Sequence, residues 1–562
     1  MRDAVIVGSG AGAGPLALRL SQAGWNVLVL EKGPRYTPAD YRHDELLFAE
    51  RPGFWTPRVE DDPHVLVDHT AGDARPVLST LGWIACCVGG GTEHMGATLY
   101  RFHPDDFRLR RRFGEYLEVA DWPYGYDELE PWYAMAEWEV GISGEGGANP
   151  HEGPRSRPYP MPPLPCHPRA ARLDEAARRL GVHAFPTPRA INSRPYGGRP
   201  ACSDCDFCAG YGCPTGARGT SGWALLARAE ATGRCTVRAN AMVTEVTVGR
   251  DGLASGCVYL DAEGTEHRVR ARLVCVCASA VESARLLLRS RSPRFPQGLA
   301  NGSGRVGRHL HLHAASAGRG RFRRDRHPAA LLDARTSILG RSVMDHYFLP
   351  AGVSDFPKGG LLRFDMERPN PIGGAQRAAR GDDGRLLWGE PLARRVREHF
   401  RDWREVEFEV FQEFIPNAGT RVELDPAVTD RWGLAAARLH LFEPEHHRRA
   451  GAWVTERGLE LLRAAGADEV AARGIGYTVK VMAHGTCRAG TDPATSVLDG
   501  FCRAHEVPNL FVVDGSFIPT AGGAPSTLTI LANSFRTAAY ILDRAPTGDL
   551  ARRAATPARS AR

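Results

Sequence analysis

AVIVGSGAGAGPLALRLSQAGWNVLVLEKG, residues 4–33, is the stretch that decides the fold. Residues 4–7 are apolar and predict a buried strand, and a glycine-rich turn follows them. Apolar side chains then recur at helical spacing up to Gly24, which predicts the end of a helix. A second apolar strand ends at Glu31. This order of strand, turn, helix and strand predicts the opening unit of an α/β fold with a parallel sheet.

The turn has the residues of a dinucleotide-binding site. Gly8 permits the tight turn, and Gly10 lets a pyrophosphate approach the backbone. Ala13 stands where a third glycine would allow the helix to pack closely on the strand. Phosphate would lie at the helix N-terminus, and Glu31, at the end of the second strand, is placed to bind ribose hydroxyls. The alternative is an ordinary βαβ unit without a ligand, and the pattern does not distinguish nicotinamide from flavin.

Composition and charge argue against several classes of partner. The chain has 562 residues with 71 basic and 65 acidic side chains, and its formal net charge is +6. The basic residues are scattered, so we expect no nucleic-acid partner. No apolar run approaches the roughly 18 to 20 residues that a membrane span needs, so we expect no membrane partner. The N-terminus enters a strand by residue 4 without the features of a signal peptide, which predicts a cytoplasmic protein.

Three later segments carry a family resemblance. They are VGGGTEHMGATLYR (88–101), DWPYGYDELEPWYAMAEWEVGISG (121–144) and the C-terminal stretch from HGTCRAG to AAYIL (484–542). In this order they resemble the glucose-methanol-choline (GMC) family of FAD-dependent alcohol oxidoreductases. The resemblance covers nearly the whole chain, although Ser279 replaces a glycine that is usual in the family.

The resemblance implies an α/β architecture in which a Rossmann-like FAD-binding domain carries an inserted α+β substrate domain built on an antiparallel sheet. The implied cofactor is FAD. The expected boundaries are 1–155, 200–330 and 482–545 for the FAD-binding domain, 156–199 and 331–481 for the substrate domain, and 546–562 for a disordered tail.

The pattern of side chains agrees with this division. Residues 235–249 alternate as strands do, and 273–279 and 509–516 are apolar enough for buried strands. The last of these leads into a helix that we expect to begin near Ser526. RAAGADEVAARG, residues 463–474, predicts a helix within the substrate domain.

Oxidation of an alcohol requires a neutral base beside the hydroxyl group, and histidine is the usual choice. The resemblance implies a histidine three residues before the Gly-Thr of the C-terminal segment, but Met482 stands there. Because alternate residues of a strand share a face, His484 is the predicted base. The family's second active-site residue falls at Pro525, which handles no proton. His311, from the alternating row His309, His311 and His313, is the expected partner; the alternative for each is an ordinary packed histidine.

The remaining contacts to FAD are implied by the resemblance. Asp514 and Gly515 match positions near the pyrophosphate and the flavin ring, and the helix after Ser526 would direct its positive end at the reduced flavin. His94 matches a position at which some members of the family attach FAD covalently. The alternative is a histidine that lines the edge of the flavin without a covalent bond. The other expected contacts lie in the same glycine-rich motif, at Gly90 and Gly91.

A separate motif carries four cysteines, Cys202, Cys205, Cys208 and Cys213. Their spacing resembles that of ferredoxin ligands, except that the last interval is one residue longer. The loop could hold an iron–sulfur cluster or a zinc ion, or its cysteines could be reduced structural thiols. Of these three alternatives, we expect reduced thiols rather than a cluster. A cluster would relay electrons to a partner protein, whereas its absence suits oxygen or another diffusible acceptor.

The substrate is suggested by WREVEFEVFQEFIPNAGTRVELD, residues 403–425. Its strict alternation places Glu405, Glu407 and Glu409 on one face, and the resemblance places this sheet over the substrate cavity. A row of carboxylates would suit a sugar-like or cationic alcohol, with an aminosugar first; a solvated edge strand is the alternative. Other candidate functions are a sterol or long-chain alcohol oxidase, an FAD/iron–sulfur dehydrogenase subunit, and a lyase that keeps FAD without redox turnover.

Overall fold

The computed structural model of the chain describes residues 1–50, 54–70, 74–83, 85–114, 118–332, 340–366, 370–381, 384–443 and 445–551. The strands are β1 (Arg2–Val7), β2 (Val27–Leu30), β3 (His64–Asp68), β4 (Val77–Ser79), β5 (Ala184–Pro186), β6 (Cys235–Arg238), β7 (Met242–Val248), β8 (Ala254–Leu260), β9 (Glu266–Val276), β10 (His311–Arg323), β11 (Arg341–Val343), β12 (Gly360–Met366), β13 (Trp403–Gln412), β14 (Arg421–Thr429), β15 (Ala435–Leu441), β16 (Glu469–His484) and β17 (Leu510–Val512). The helices are α1 (Ala13–Gln22), α2 (Leu109–Phe113), α3 (Tyr126–Val140), α4 (Arg169–Leu180), α5 (Ala227–Ala231), α6 (Ala280–Arg289), α7 (Ala329–Leu332), α8 (Pro371–Ala378), α9 (Gly389–Asp402), α10 (His446–Ala464) and α11 (Thr527–Arg544).

The first sheet is the predicted dinucleotide-binding sheet. It has seven strands in the order β6-β2-β1-β9-β8-β7, and β17 pairs with β9 outside this path. β6, β2, β1, β9 and β17 are parallel where they pair, while β7 and β8 form an antiparallel extension. Leu16 of α1 and Leu528 of α11 are fully buried in the same core as β1. The Rossmann-like part of the prediction is therefore confirmed.

A second sheet has six strands in the order β16-β10-β13-β12-β11-β5, and all its pairs are antiparallel. Leu173 of α4 and Val454 of α10 pack against Phe408 and Val410 of β13. The antiparallel substrate sheet is thus confirmed. One of its strands, β10, comes from 311–323, and a third sheet joins β14 and β15 to β3 and β4. The expected domain boundaries stay a prediction.

The predicted helix over 463–474 is wrong. α10 ends at Ala464 and β16 begins at Glu469, where it pairs with Arg321 of β10. Gly466 stops the helix because it adopts a φ of +93°. The N–H groups of Gly466 and Ala467 close the helix end by donating to the carbonyls of Arg463 and Leu462. Pairing with a distant strand outweighs the helical preference of the alanine-rich sequence.

The other local predictions agree more closely with the structure. α1 ends just before Gly24, which has a φ of +88°, and α11 begins directly after Ser526. The first residues of the predicted tail form short 3-10 segments, Ala545–Thr547 and Asp549–Ala551, whereas 552–562 lie outside the described residues. No helix in the described part of the chain is both long and apolar enough to cross a membrane.

Candidate active site

A cavity of about 520 Å³ extends from the N-terminal glycine turn to the antiparallel sheet. It brings together most of the residues predicted to bind the cofactor or to act on the substrate. These are Gly8, Gly10, Glu31, Gly90, Gly91, His94, His484, Asp514, Gly515 and Ser526. Ala13 and His311 are fully buried and do not line this cavity. Ala13 keeps its packing role at the start of α1, and His311 lies behind the cavity wall.

Each glycine of the N-terminal turn is needed for a different structural reason. Gly8 has a φ of +90°, and a Cβ atom there would lie 2.3 Å from the carbonyl oxygen of Cys277. A Cβ atom on Gly12 would lie 1.7 Å from the carbonyl oxygen of Val513, so this glycine is also required; our interpretation of the turn missed it. A Cβ atom on Gly10 would meet nothing within 4 Å. Gly10 therefore leaves open the part of the cavity that faces the turn.

Glu31 lies just after β2 and is buried at the same end of the cavity. Its Oε2 accepts a hydrogen bond from Ser9 Oγ at 2.5 Å, and its Oε1 accepts one from the Gly33 N–H at 2.9 Å. Burial raises the pKa of Glu31, while these hydrogen bonds and Lys32 oppose the rise. The carboxyl group is thus held rigidly at the strand end, as ribose recognition requires.

The GGGTEH motif packs on this turn. Gly90 has a φ of +56°, and a Cβ atom there would lie 3.0 Å from Gly10 Cα. His94 is stacked on Trp55 with ring centroids 5.1 Å apart. Its Nε2 is buried without a hydrogen-bond partner in the described part of the chain. Burial, with a contribution from Arg218, lowers the pKa of His94 to about 4, so the ring is neutral at pH 7.

Asp514 and Gly515 follow β17 and form another part of the cavity wall. Asp514 accepts hydrogen bonds from the Ser516 N–H at 2.8 Å and from the Ser283 hydroxyl. Burial raises its pKa against the effect of these bonds. A Cβ atom on Gly515 would lie 2.6 Å from the carbonyl oxygen of Ala483, which precedes His484. The strand end is therefore packed directly against the histidine segment.

His484 is the last residue of β16 and lies at the far end of the cavity. Its Nε2 is 2.7 Å from Ser526 Oγ, and its Nδ1 has no hydrogen-bond partner among the residues that the structure describes. The rings of His311 and His313 lie 5.4 and 5.2 Å from its ring, measured between centroids. Burial lowers the pKa of His484 well below 6.5, and His313 and His311 lower it further. The imidazole is therefore neutral at pH 7.

The predicted partner of His484 reaches it across the sheet. His311 and His484 are directly opposed in the pairing of β10 with β16. His311 Nδ1 is 2.9 Å from the carbonyl oxygen of His309, which fixes the ring. His309 itself precedes the strand, and its Nε2 is 2.6 Å from Glu118. His311 thus lies against the ring of the predicted base, while Met482 and Pro525 line the cavity without a group that transfers protons.

The carboxylate row on β13 is not an open acidic face. The predicted alternation is confirmed, but each carboxylate has an arginine partner. Glu405 pairs with Arg319 at 3.2 Å, Glu407 with Arg473, and Glu409 with Arg363 at 2.9 Å. Only the last pair lines the large cavity. Arginines from other strands of the same sheet, β10, β12 and β16, neutralise the row, and the pattern of a single strand cannot reveal them.

The cysteine loop borders the cavity through Ala209 and Gly210. Arg218 is fully buried beneath it and donates to the carbonyls of Glu93, Tyr211 and Cys208 at 2.6 to 2.7 Å. Burial opposes ionisation of the Cys213 thiol, but Arg218 and hydrogen bonds lower its pKa overall. The four predicted metal ligands, Cys202, Cys205, Cys208 and Cys213, are free thiols and do not meet within metal-ligand spacing in the described structure. Metal binding by this loop stays a prediction.

Sequence reasoning also missed a group of buried ionisable residues behind the loop that carries Pro525. Asp106 accepts hydrogen bonds from Tyr347 Oη at 2.6 Å and from Lys358, and all three side chains are buried. Tyr347 Oη in turn accepts one from the Gly523 N–H at 2.8 Å. Burial raises the pKa of the neighbouring Glu413 to about 8. These residues are far apart in the sequence, and no local pattern connects them.

Comparisons with known proteins agree with this geometry. Residues 88–315 match the family model "GMC oxidoreductase" for the N-terminal part, and residues 416–534 match the C-terminal one. Paromamine 6'-oxidase of Streptomyces fradiae is 33% identical over 98% of this chain and 92% of its own length. 2-Methyl-1,2-propanediol dehydrogenase of Mycolicibacterium austroafricanum is 32% identical over 96% and 95%. The crystal structure of pyridoxine 4-oxidase from Mesorbium loti has a TM-score of 0.61 at 18% identity, covering 97% of this chain and 99% of that one, which shows a shared fold.

Proposed function

This chain belongs to the GMC oxidoreductase family and is an enzyme that oxidises CH–OH groups, and we propose that its substrate is the alcohol of an aminosugar. We further propose that His484 removes the hydroxyl proton. The observation that carries the choice of substrate is the similarity to paromamine 6'-oxidase over 98% of the chain. Members of the family bind FAD, and the large cavity is the place for it.

The cavity residues fit FAD. Gly10 leaves room beside the backbone at the start of α1, where the helix N-terminus favours a pyrophosphate. Glu31 offers a fixed carboxyl group for the ribose, and His94, whose buried Nε2 has no hydrogen-bond partner among the described residues, lines the same cavity. When bound, FAD supplies the acceptor for the hydride that leaves the alcohol carbon. Covalent attachment through His94 is open to direct measurement by mass.

His484 has the position and the protonation state of a general base. It is neutral at pH 7 because burial holds its pKa low, and Ser526 fixes the ring through Nε2. The hydroxyl proton of the substrate would pass to the ring as the C–H bond breaks. The N-terminus of α11 begins at Thr527 on the cavity wall, and its positive end favours the negative charge that develops nearby.

The substrate end of the cavity offers recognition of a cationic sugar. Glu409 and Arg363 form an ion pair there, beside the apolar ring of Phe411. An ammonium group of the substrate would share Glu409 with Arg363, and substrate hydroxyls would hydrogen-bond to the remaining donors and acceptors. A sterol or long-chain alcohol would instead bury this charged pair against hydrocarbon, which is costly.

The test is anaerobic reduction of the purified flavoprotein by a panel of alcohols. We expect paromamine to bleach the flavin absorption and 2-methyl-1,2-propanediol to do so weakly. The matched variant Glu409→Gln keeps the size of the side chain and should raise the KM for paromamine more than that for the uncharged diol. Bleaching by a sterol or a long-chain alcohol but not by paromamine would refute the substrate. If no alcohol bleached the flavin, the lyase alternative would replace the whole proposal.

The electron acceptor is tested in the same experiment. Reoxidation by air with formation of hydrogen peroxide would support oxygen as the acceptor. A second candidate, a dehydrogenase subunit that relays electrons to a partner protein, is favoured by the contact of the cysteine loop with the cavity through Gly210, whose N–H donates to the His94 carbonyl at 2.8 Å. Iron analysis separates the two, because a relay requires about three or four irons per chain.

A further inference from the structure

We propose that His151, His183 and Asp345 form a binding site for a divalent transition-metal ion of the zinc class, separate from the large cavity. His151 lies in the loop after α3, His183 just before β5, and Asp345 just after β11. One ligand atom from each lies within 4.8 Å of the other two. Across the described residues, no other group of three or more histidine, cysteine or acidic side chains has this spacing.

The distances between the ligand atoms suit a small metal ion. Bonds of about 2.0 to 2.1 Å in a tetrahedral site place neighbouring ligand atoms about 3.3 Å apart. His151 Nε2 lies 3.3 Å from Asp345 Oδ1, and His183 Nδ1 lies 2.8 Å from the same oxygen. The second distance must widen by about half an ångström, and the two imidazole nitrogens, which lie within 4.8 Å of each other, must take the same spacing. The side chain of His183 is 59% exposed, so it can make this adjustment without disturbing the core.

The surroundings orient the ligands. The His183 N–H donates to Asp345 Oδ2 at 3.0 Å, which leaves Oδ1 directed at the two imidazoles. The His151 N–H donates to Asn149 Oδ1 at 3.0 Å and fixes the loop. His151 Nε2 is shielded from solvent and lies near Oδ1 without the alignment of a hydrogen bond. Two imidazoles and one carboxylate are a ligand set that zinc prefers, with a fourth position for water.

A bound ion would connect segments that support the candidate active site. Met344 and Tyr347, on either side of Asp345, pack in one cluster with Ala524, next to Pro525. Tyr347 also holds the Gly523 N–H. Ligation would join the loop after α3 to this turn, so we expect the metal-bound protein to melt at a higher temperature.

The probe is Co²⁺, titrated into the FAD-loaded full chain by calorimetry and followed by its visible absorption. We expect one Co²⁺ per chain and at least tenfold weaker binding in His183→Ala. The matched control is His267→Ala, because His267 forms a half-buried pair with Asp261 at 2.7 Å that lacks a third ligand among the described residues. This variant should bind Co²⁺ as the unmodified protein does. Asp345→Asn serves as a second test and should lose binding as well.

The cysteine loop could also bind Co²⁺, and the spectrum distinguishes it. Thiolate ligation produces a charge-transfer band in the near ultraviolet, whereas imidazole and carboxylate ligands do not. The proposal would be overturned if the unmodified protein failed to bind Co²⁺, or if His183→Ala and Asp345→Asn bound it unchanged. It is supported if the rise in melting temperature with Co²⁺ disappears in these two variants but persists in His267→Ala.

Discussion

The role of His484 can be tested by His484→Gln, compared with Ser526→Ala. Glutamine can keep a hydrogen bond to Ser526, which lies 2.7 Å from His484 Nε2, but it cannot accept the hydroxyl proton. Ser526→Ala leaves the imidazole in place and removes that hydrogen bond. The two variants therefore separate proton transfer from the positioning of the ring.

The expected effects differ in size. A positioned general base contributes roughly 10² to 10⁴ in rate, which is about 2.7 to 5.4 kcal/mol of activation free energy. A single hydrogen bond between a neutral ring and a hydroxyl contributes about 0.5 to 1.5 kcal/mol, or roughly 2- to 13-fold. His484→Gln should thus slow flavin reduction at least about eightfold more than Ser526→Ala does. Because the pKa of His484 lies well below 6.5, its protonation should not limit the unmodified enzyme near pH 7.

The assay is anaerobic stopped-flow measurement of flavin reduction by paromamine, with FAD content determined for each variant. The variant rates are compared at saturating substrate, so that weaker binding does not contribute. If the flavin of His484→Gln, at full FAD content, were reduced at a rate within tenfold of that of the unmodified protein, His484 would be refuted as the base. Such a result would direct the search to another group at this end of the cavity.

Three further predictions concern cofactor binding and stability. Ser279 has a φ of +77°, a conformation that costs a non-glycine residue about 1 to 3 kcal/mol. After allowance for the flexibility of glycine in the unfolded chain, Ser279→Gly should raise the free energy of unfolding by about 1 to 2 kcal/mol, as measured by urea titration. An unchanged midpoint of unfolding would contradict the strain. Glu31→Gln should weaken FAD binding by about tenfold, because a charge-assisted hydrogen bond becomes a neutral one. The affinity is measured by the fluorescence of the released cofactor, and an unaltered affinity would argue against ribose recognition by Glu31. Burial raises the pKa of Glu413 from 4.5 to about 8 in the folded protein, so its contribution to stability is complete below pH 4.5 and is lost as the pH rises toward 8. Glu413→Gln should flatten this dependence in unfolding curves measured across that range, and an identical slope in both proteins would count against the buried carboxyl.

Much of the first sheet and one end of the site could be predicted because the signals are local. The turn after β1, the acidic residue after β2 and the helix after Ser526 each occupy a short run of residues with one characteristic conformation. Alternation along 403–412 likewise predicted a strand. The resemblance added the antiparallel sheet and the cofactor, which the N-terminal unit alone leaves undecided.

The prediction failed where distant segments meet. Residues 463–474 look helical, yet Gly466 ends the helix and the following residues extend the sheet beside β10. The carboxylates of β13 look like an acidic face, yet arginines from other strands pair with them. Neither partner can be found from the local sequence, because pairing between strands fixes which side chains become neighbours.

The sequence by itself determined the glycine turn and the strand that ends just before Glu31, and it singled out the histidine beside the Gly-Thr pair as the candidate base. Only the tertiary structure decided that His484 lies directly opposite His311 in the pairing of β16 with β10, and that Arg363 neutralises Glu409 at the cavity wall. It also brought together His151, His183 and Asp345, which come from three separate segments. The physical reason is that a turn or a helix is specified by neighbours in the chain, whereas a site depends on the register of strands that the chain joins only after folding.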